Sequence, residues 1–299
     1  MSKSDRQVFT EKYLARCNFD GRVPGDRICV AYSGGVDSTA LLIAAAASGY
    51  TVTAFLINHQ LRASAASDAL AAEANARKLN VRFLSMTTSG VSPSANVEAW
   101  AREQRKRLLP DDVMTGHTAD DQCETLLYRL GLGSGAAGVS GIKPGSTKPI
   151  LNLRRTDNEK LCELWEIEPV IDDSNASSEF VRNRVRNELV PLFSDLMGRD
   201  IVPLTCRTAN ALREDDRELS RQACEQYTHN VKYLRTLPVP VLARVVREML
   251  TVNGLPPTSK DVEQTFDVIF TSTPRAQLSR KLTVARTRGE LRIEPSTLS

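Results

Sequence analysis

The chain has 299 residues, 41% hydrophobic and 25% charged, with a formal net charge of +3. That is enough for two domains with buried cores, and the balance is that of an ordinary soluble globular protein. No run of about 18 apolar residues is present to span a membrane. The small charge does not by itself imply nucleic acid, and 5% aromatic content argues against a broad base-stacking platform. Six cysteines without a CxxC pair disfavour a disulfide framework or zinc site, and the first residues lack the apolar core of a signal peptide. A cytoplasmic protein is expected.

In chain order, Ile28 to Tyr32 reads as a short buried strand and Asp37 onward as a helix stopped by Gly49. Between them lies Ser33-Gly34-Gly35-Val36-Asp37-Ser38-Thr39. Paired glycines at a strand–helix junction let main-chain N–H groups face an anion, backed by the helix N-terminus. No lysine follows, so this is not a Walker loop. Further strands are expected at 51–58, 81–87 and 113–115, and helices at 65–79, 96–109 and 119–130. The second of these helices turns Val97, Trp100 and Ala101 toward the core. Such alternation implies a doubly wound parallel sheet with helices on both faces. Ser33, Asn58, Thr88 and His117 then fall at the carboxyl ends of their strands, the edge where such sheets bind ligands.

Residues 131–145, rich in glycine and serine, read as a loop, 148–153 as a last strand, and 156–165 and 178–193 as helices. After Asp200 the pattern changes to long helices at 205–227, 238–252 and 259–270, then a hairpin at 281–286 and 290–294. The expected domains are 1–198 and a smaller helical 199–299. A basic stretch, Arg275, Arg280, Lys281, Arg286, Arg288 and Arg292, marks the end of the chain.

Four further segments carry polar groups. In Gly116-His117-Thr118-Ala119-Asp120-Asp121-Gln122-Cys123-Glu124-Thr125, three carboxylates share one helical turn, with Asp120 and Glu124 on one face at i, i+4. Crowded carboxylates suit a cation or an ammonium between them, although a negative first turn also suits the helix dipole. Glu98, Arg102 and Arg105 form a stripe that by spacing alone reads as intrahelical ion pairs. Asn58-His59-Gln60-Leu61-Arg62 follows a strand, where a lone histidine reads as structural. In the fourth, Asp172-Asp173-Ser174-Asn175 precedes Arg182, Arg184 and Arg186. Arg182 and Arg186 share a face with Arg184 splayed away, to bind phosphate or to pair with Asp172, Asp173 and Glu188.

Strand–SGGVDS–helix resembles the pyrophosphate loop of the PP-loop ATP pyrophosphatases, whose fold is adenine nucleotide α-hydrolase-like. Together with NHQLR, NVEAWAREQR, GHTADDQCET, the glycine loop and DDSN…FVRNRVR, the pattern over residues 27–192 resembles the tRNA(Ile)-lysidine synthetase family. The resemblance implies that ATP adenylates the wobble cytidine of tRNA(Ile) with a CAU anticodon. Free L-lysine then displaces AMP. It implies that Ser33, Gly34, Gly35, Val36, Asp37 and Ser38 bind ATP and that Asp37 and Asp121 hold Mg²⁺. Asp37, Asp120, Asp121 and Glu124 become catalytic, and Arg62, Glu98, Arg102, Arg105, His117, Arg182, Arg184 and Arg186 contact substrate or tRNA. The helical domain becomes a tRNA grip. Asn58, Gln60, Lys106, Thr118 and Leu132 depart from the family pattern. The competing readings are a tRNA thiolase, which the scattered cysteines disfavour, and a catalytically silent nucleotide-binding module. The oligomeric state stays open, a homodimer included.

Overall fold

The computed structural model describes residues 3–58, 65–88, 97–170 and 181–296. They form two compact units, Met1–Asn210 and Ala211–Ser299, which divide within one long helix. Among the described residues no helix is long and apolar enough to cross a membrane.

The first unit is built on parallel strands β1 (Arg27–Ala31), β2 (Thr51–Asn58) and β3 (Arg82–Thr87), in the order β1-β2-β3. Cys29 pairs with Thr53 and Leu56 with Ser85, so the strand ends stay level. The expected fourth strand is reduced to one parallel bridge, Val30 to Met114, on the free side of β1. Ala31 N–H donates to the Met114 carbonyl at 2.8 Å and Met114 N–H to the Cys29 carbonyl at 2.8 Å. The chain thus leaves β1 in one direction for β2 and β3, then returns to its other side. That reversal opens a crevice beyond the carboxyl ends of β1 and Met114.

Helix α1 (Lys3–Leu14) precedes the sheet, and α2 (Val36–Ala47) follows β1. Residues 38–45 of α2 are all buried, a helix apolar nearly all round and so an interior one. Its alanines allow close approach by the sheet, by α1 and by a helix that comes later in the chain. Helices α3 (Ala65–Lys78), α4 (Val97–Leu108), α5 (Ala119–Gly131) and α6 (Ala136–Val139) follow, then α7 (Arg155–Leu164). The core of this unit joins Tyr13, Ile28, Leu41, Leu42, Ile43, Leu161 and Cys162.

Residues 148–153 are not a strand but successive tight turns, with Leu151 N–H donating to Lys148 and Leu153 N–H to Ile150. Pro149 cannot donate to a ladder, and the buried Ile150 and Leu153 give the run its strand-like apolarity. The helix expected over 178–193 is described from Val181. It comprises α8 (Val181–Arg184), a π-helical turn over Val185–Leu189, and α9 (Val190–Leu196).

Helix α10 (Val202–Glu225) enters the second unit. There α11 (Val231–Leu234), α12 (Val239–Val252) and α13 (Ser259–Phe270) pack with the final sheet. Val241, Leu242, Val245, Val246, Met249 and Leu250 of α12 are all buried, the apolar face of an amphipathic helix. The expected hairpin is β5 (Leu282–Thr287) and β6 (Glu290–Pro295), joined by Arg288-Gly289 with φ of 53° and 82°. An additional short strand, β4 (Arg275–Gln277), completes a three-stranded antiparallel sheet.

Candidate active site at the carboxyl rim of the sheet

The loop after β1 is shaped by its own hydroxyls. Ser33 N–H donates to Ser38 Oγ at 3.2 Å, the two hydroxyls lie 3.1 Å apart, and Ser38 Oγ donates to the Gly35 carbonyl at 2.9 Å. Gly34 has φ +85°, and a Cβ there would stand 2.9 Å from Val170 Cγ2. Its carbonyl accepts from Val170 N–H and Thr39 Oγ1, both at 2.9 Å. Gly35 occupies the N-cap of α2 and offers no side-chain cap. The first N–H groups of an α-helix have no intrahelical partner, so α2 presents donors and its positive dipole end to an anion.

Gly116 closes the other side of the crevice. A Cβ at this position would lie 2.8 Å from the Asp37 carbonyl and 2.9 Å from Ser38 N, so no larger residue fits without moving the loop. Next to it, Thr115 Oγ1 donates to the Thr147 carbonyl and lies 2.7 Å from His117 Nδ1. This short contact pins the imidazole against Thr115. Burial holds the His117 pKa below its ordinary value, which keeps the ring neutral. These groups line a cavity of about 500 Å³ shared with Asn58, Arg105, Asp121, Arg155 and Arg186.

Asp37 is mostly buried on the first turn of α2. Its Oδ1 accepts from Asn158 Nδ2 at 2.8 Å, and its Oδ2 lies 3.6 Å from Arg155 Nη1. Burial raises its pKa, against the opposing pull of Asn158 and Arg155. A carboxylate so placed gains from a nearby cation.

The carboxylates of α5 divide differently from the expected pairing. Thr118 caps the helix in a capping box with Asp121, whose Oδ2 accepts from both the Thr118 N–H and hydroxyl at 2.9 Å. Asp121 Oδ1 also accepts from Arg182 at 3.0 Å and Arg186 at 3.4 Å. Glu124, 2% exposed, accepts from Arg182 Nε at 3.2 Å and Arg186 Nε at 2.5 Å. Burial opposes the Arg186 charge, and Glu124 and Asp121 outweigh it, raising its pKa. The pair that the two arginines hold together is therefore Asp121 and Glu124, at i, i+3. Asp120, expected on a face with Glu124, turns away to a bidentate contact with Arg154 and accepts from Arg155 N–H at 2.8 Å. Arg154 also pairs with Asp200, so Asp120 anchors α5 to the start of α7 rather than facing the cavity.

Arg184 is splayed away, as its position implied, and pairs with Glu188 on the surface. Arg105 lines the cavity. Arg62 and Asp172 to Asn175 lie outside the described residues, as do the side chains of Glu98 and Arg102. Gln122, buried, donates to the Ser140 carbonyl and accepts from Ile142 N–H, tying the glycine-rich loop to α5. Among the described residues no three His, Cys, Asp or Glu side chains gather as a metal site. Asp37 and Asp121 on one cavity do match the preference of Mg²⁺ for one or two carboxylates plus phosphates.

Sequence reasoning missed Arg154, Arg155, Asn158 and Tyr13. One signal was available for the arginines: two cations opening a helix oppose its dipole, which marks them as facing acids.

The model of the PP-loop domain family matches residues 7–193. The tRNA(Ile)-lysidine synthase of Nocardia farcinica is 36% identical over 242 residues, 76% of this chain and 76% of that protein. That of Rhodococcus jostii is 35% identical over 262 residues, covering 83% and 81%. Among solved structures, the U34-tRNA thiolase NcsA from Methanococcus maripaludis matches with TM-score 0.57 at 13% identity, over 71% of this chain and 81% of that one. That likeness shows the fold alone. With the PP-loop domain matched across its first unit and these relatives over most of its length, the chain belongs to the tRNA(Ile)-lysidine synthase family.

Proposed function

We propose that this protein ligates L-lysine to C2 of the wobble cytidine in tRNA(Ile) with a CAU anticodon, at the expense of ATP, in the cytoplasm. The cytidine C2 oxygen attacks the α-phosphorus of ATP and pyrophosphate leaves. The lysine amine then adds to C2, and AMP departs with the oxygen. One observation carries the reading. The uncapped start of α2 opens onto the same cavity as Asp37, neutral His117, and Asp121 with its arginine partners.

The 33–38 loop holds the phosphates through main-chain N–H groups and the Ser33 and Ser38 hydroxyls. Asp37 and Asp121 hold Mg²⁺, which when bound neutralises phosphate charge. Neutral His117, which lines the cavity, serves as the base that takes a proton from the attacking amine. Arg105, Arg182 and Arg186 supply cationic groups at the rim, and Glu124 keeps Arg182 and Arg186 in place. Arg275, Arg280, Arg288 and Arg292 of the second unit give it a basic strand-and-turn region suited to tRNA phosphates.

The test is incorporation of labelled lysine, with ATP and Mg²⁺, into a tRNA(Ile) transcript with a CAU anticodon, against the tRNA(Met) sharing that anticodon. Incorporation into the first alone is expected. No incorporation into either overturns the reading. ATP binding without tRNA-dependent release of AMP and pyrophosphate would favour a silent nucleotide-binding module.

A further inference from the structure

Asn158 is an anomaly on α7. It is 0% exposed, within a helix whose neighbours Leu161 and Cys162 belong to the apolar core. Burying an amide is costly unless both of its ends are hydrogen-bonded, and asparagine is a poor interior helix residue. Both ends are used, each by a different helix. Tyr13 of α1, 2% exposed, donates its hydroxyl to Asn158 Oδ1 at 2.6 Å. Asn158 Nδ2 donates to Asp37 Oδ1 on α2 at 2.8 Å.

The direction of this chain matters. Because the Tyr13 hydroxyl takes the amide oxygen, the end left for Asp37 can only donate. Arg155, one helical turn before Asn158, approaches the other oxygen of Asp37 at 3.6 Å. The carboxylate plane is thus fixed from α7 at two points, one close and one loose, with the loosely held oxygen belonging to a side chain that lines the cavity.

We propose that Asn158, locked by Tyr13, is a positioning residue that sets the orientation of the Asp37 carboxylate for Mg²⁺-dependent ATP binding. This rests on the reading of Asp37 as the carboxylate that holds the ion. Neither residue lines the cavity, and their side chains reach it through Asp37, so lysine binding is expected to be unaffected.

Titration calorimetry with ATP, in Mg²⁺ and in EDTA, tests this on wild type, Asn158→Leu and Tyr13→Phe. Partners behind a metal-binding group typically contribute 10–100-fold to metal affinity, so Asn158→Leu should lose about tenfold in ATP affinity with Mg²⁺ present and little in EDTA. Tyr13→Phe, which keeps the buried ring, should shift the same way by a smaller factor, and it carries the test if Asn158→Leu does not fold. In lysine incorporation both variants should raise the ATP KM or lower kcat while leaving the lysine KM unchanged. Equal losses with and without Mg²⁺, or unchanged ATP affinity beside a lowered melting temperature, would show a mere tie between helices and overturn the proposal. A wild type that binds ATP through Mg²⁺ yet incorporates no lysine would sink the lysidine reading and leave this one standing.

Discussion

The 33–38 loop and the first turns of α5 meet at the same rim but are held by opposite means. The loop is set by backbone and hydroxyls, with no side-chain charge except Asp37, and by two close approaches that tolerate no Cβ, at Gly34 and Gly116. The α5 turn is set by charge. Asp121 and Glu124 are gripped by arginines from a segment about 60 residues later, Arg182 and Arg186. The first kind of order comes from shape and hydroxyls, with Val170 and Gly116 closing on the loop. The second depends on distant parts of the chain arriving together, and its strength lies in pairing rather than in shape.

The largest expected effect separates activity from stability in the loop. Asp37→Asn should cut lysine incorporation by about 10²–10³-fold, the scale of removing one preorganised charged group. Burial holds the Asp37 pKa above its ordinary value, so ionisation costs the folded state above that pKa, and the cost is relieved as pH falls through it. Asp37→Asn should therefore melt no lower than wild type at pH 7, with the gap narrowing toward acid. A clear drop in melting temperature would make Asp37 structural and erase the contrast.

Gly116→Ala comes next. Its methyl must displace the Asp37 carbonyl, and misplacement on the ångström scale costs on the order of 10²-fold in rate. Wild-type ATP affinity in this variant would show that the loop is softer than its contacts imply.

On the charged side, Glu124→Gln should act on stability first. Breaking a buried pair costs roughly 3–5 kcal/mol, and the low end is expected because both arginines reach solvent. Chemical denaturation measures it, and an unchanged midpoint would mean that the arginine pairs contribute little. Arg184→Ala, whose partner Glu188 is exposed on the same helix, should leave melting unchanged. Smallest is a change at the second unit. Arg292→Ala should weaken tRNA binding across sequences and reduce the salt slope by about one, read from affinities over a salt series. An unchanged slope would remove this residue from the tRNA contact.

The two regions also differ in how much of them could be read beforehand. The loop was legible because its information is contiguous: strand, paired glycines, serines and helix start follow one another in seven residues. The parallel sheet could be inferred from alternation, and the rim from strand ends. The α5 turn was legible only in composition. Spacing put Asp120 with Glu124, but Arg154 captures Asp120, and no local pattern shows a partner 34 residues away. Asn158 left no trace at all, since one asparagine in a helix breaks no periodicity. The apolar run at 148–153 misled for the opposite reason: burial makes turns and strands look alike, and Pro149 was the deciding residue.

The arginine grip has a consequence for binding. Around the cavity Asp37, Asp68 and Asp121 are balanced by Arg105, Arg155 and Arg186, so the lining carries no net charge. An amino acid bearing two ammonium groups and one carboxylate would bring surplus positive charge into a site already neutral. Bound ATP supplies the missing negative charge. Under the reaction proposed above, the amine is therefore expected to bind more tightly once ATP is in place, which lysine binding with and without ATP measures.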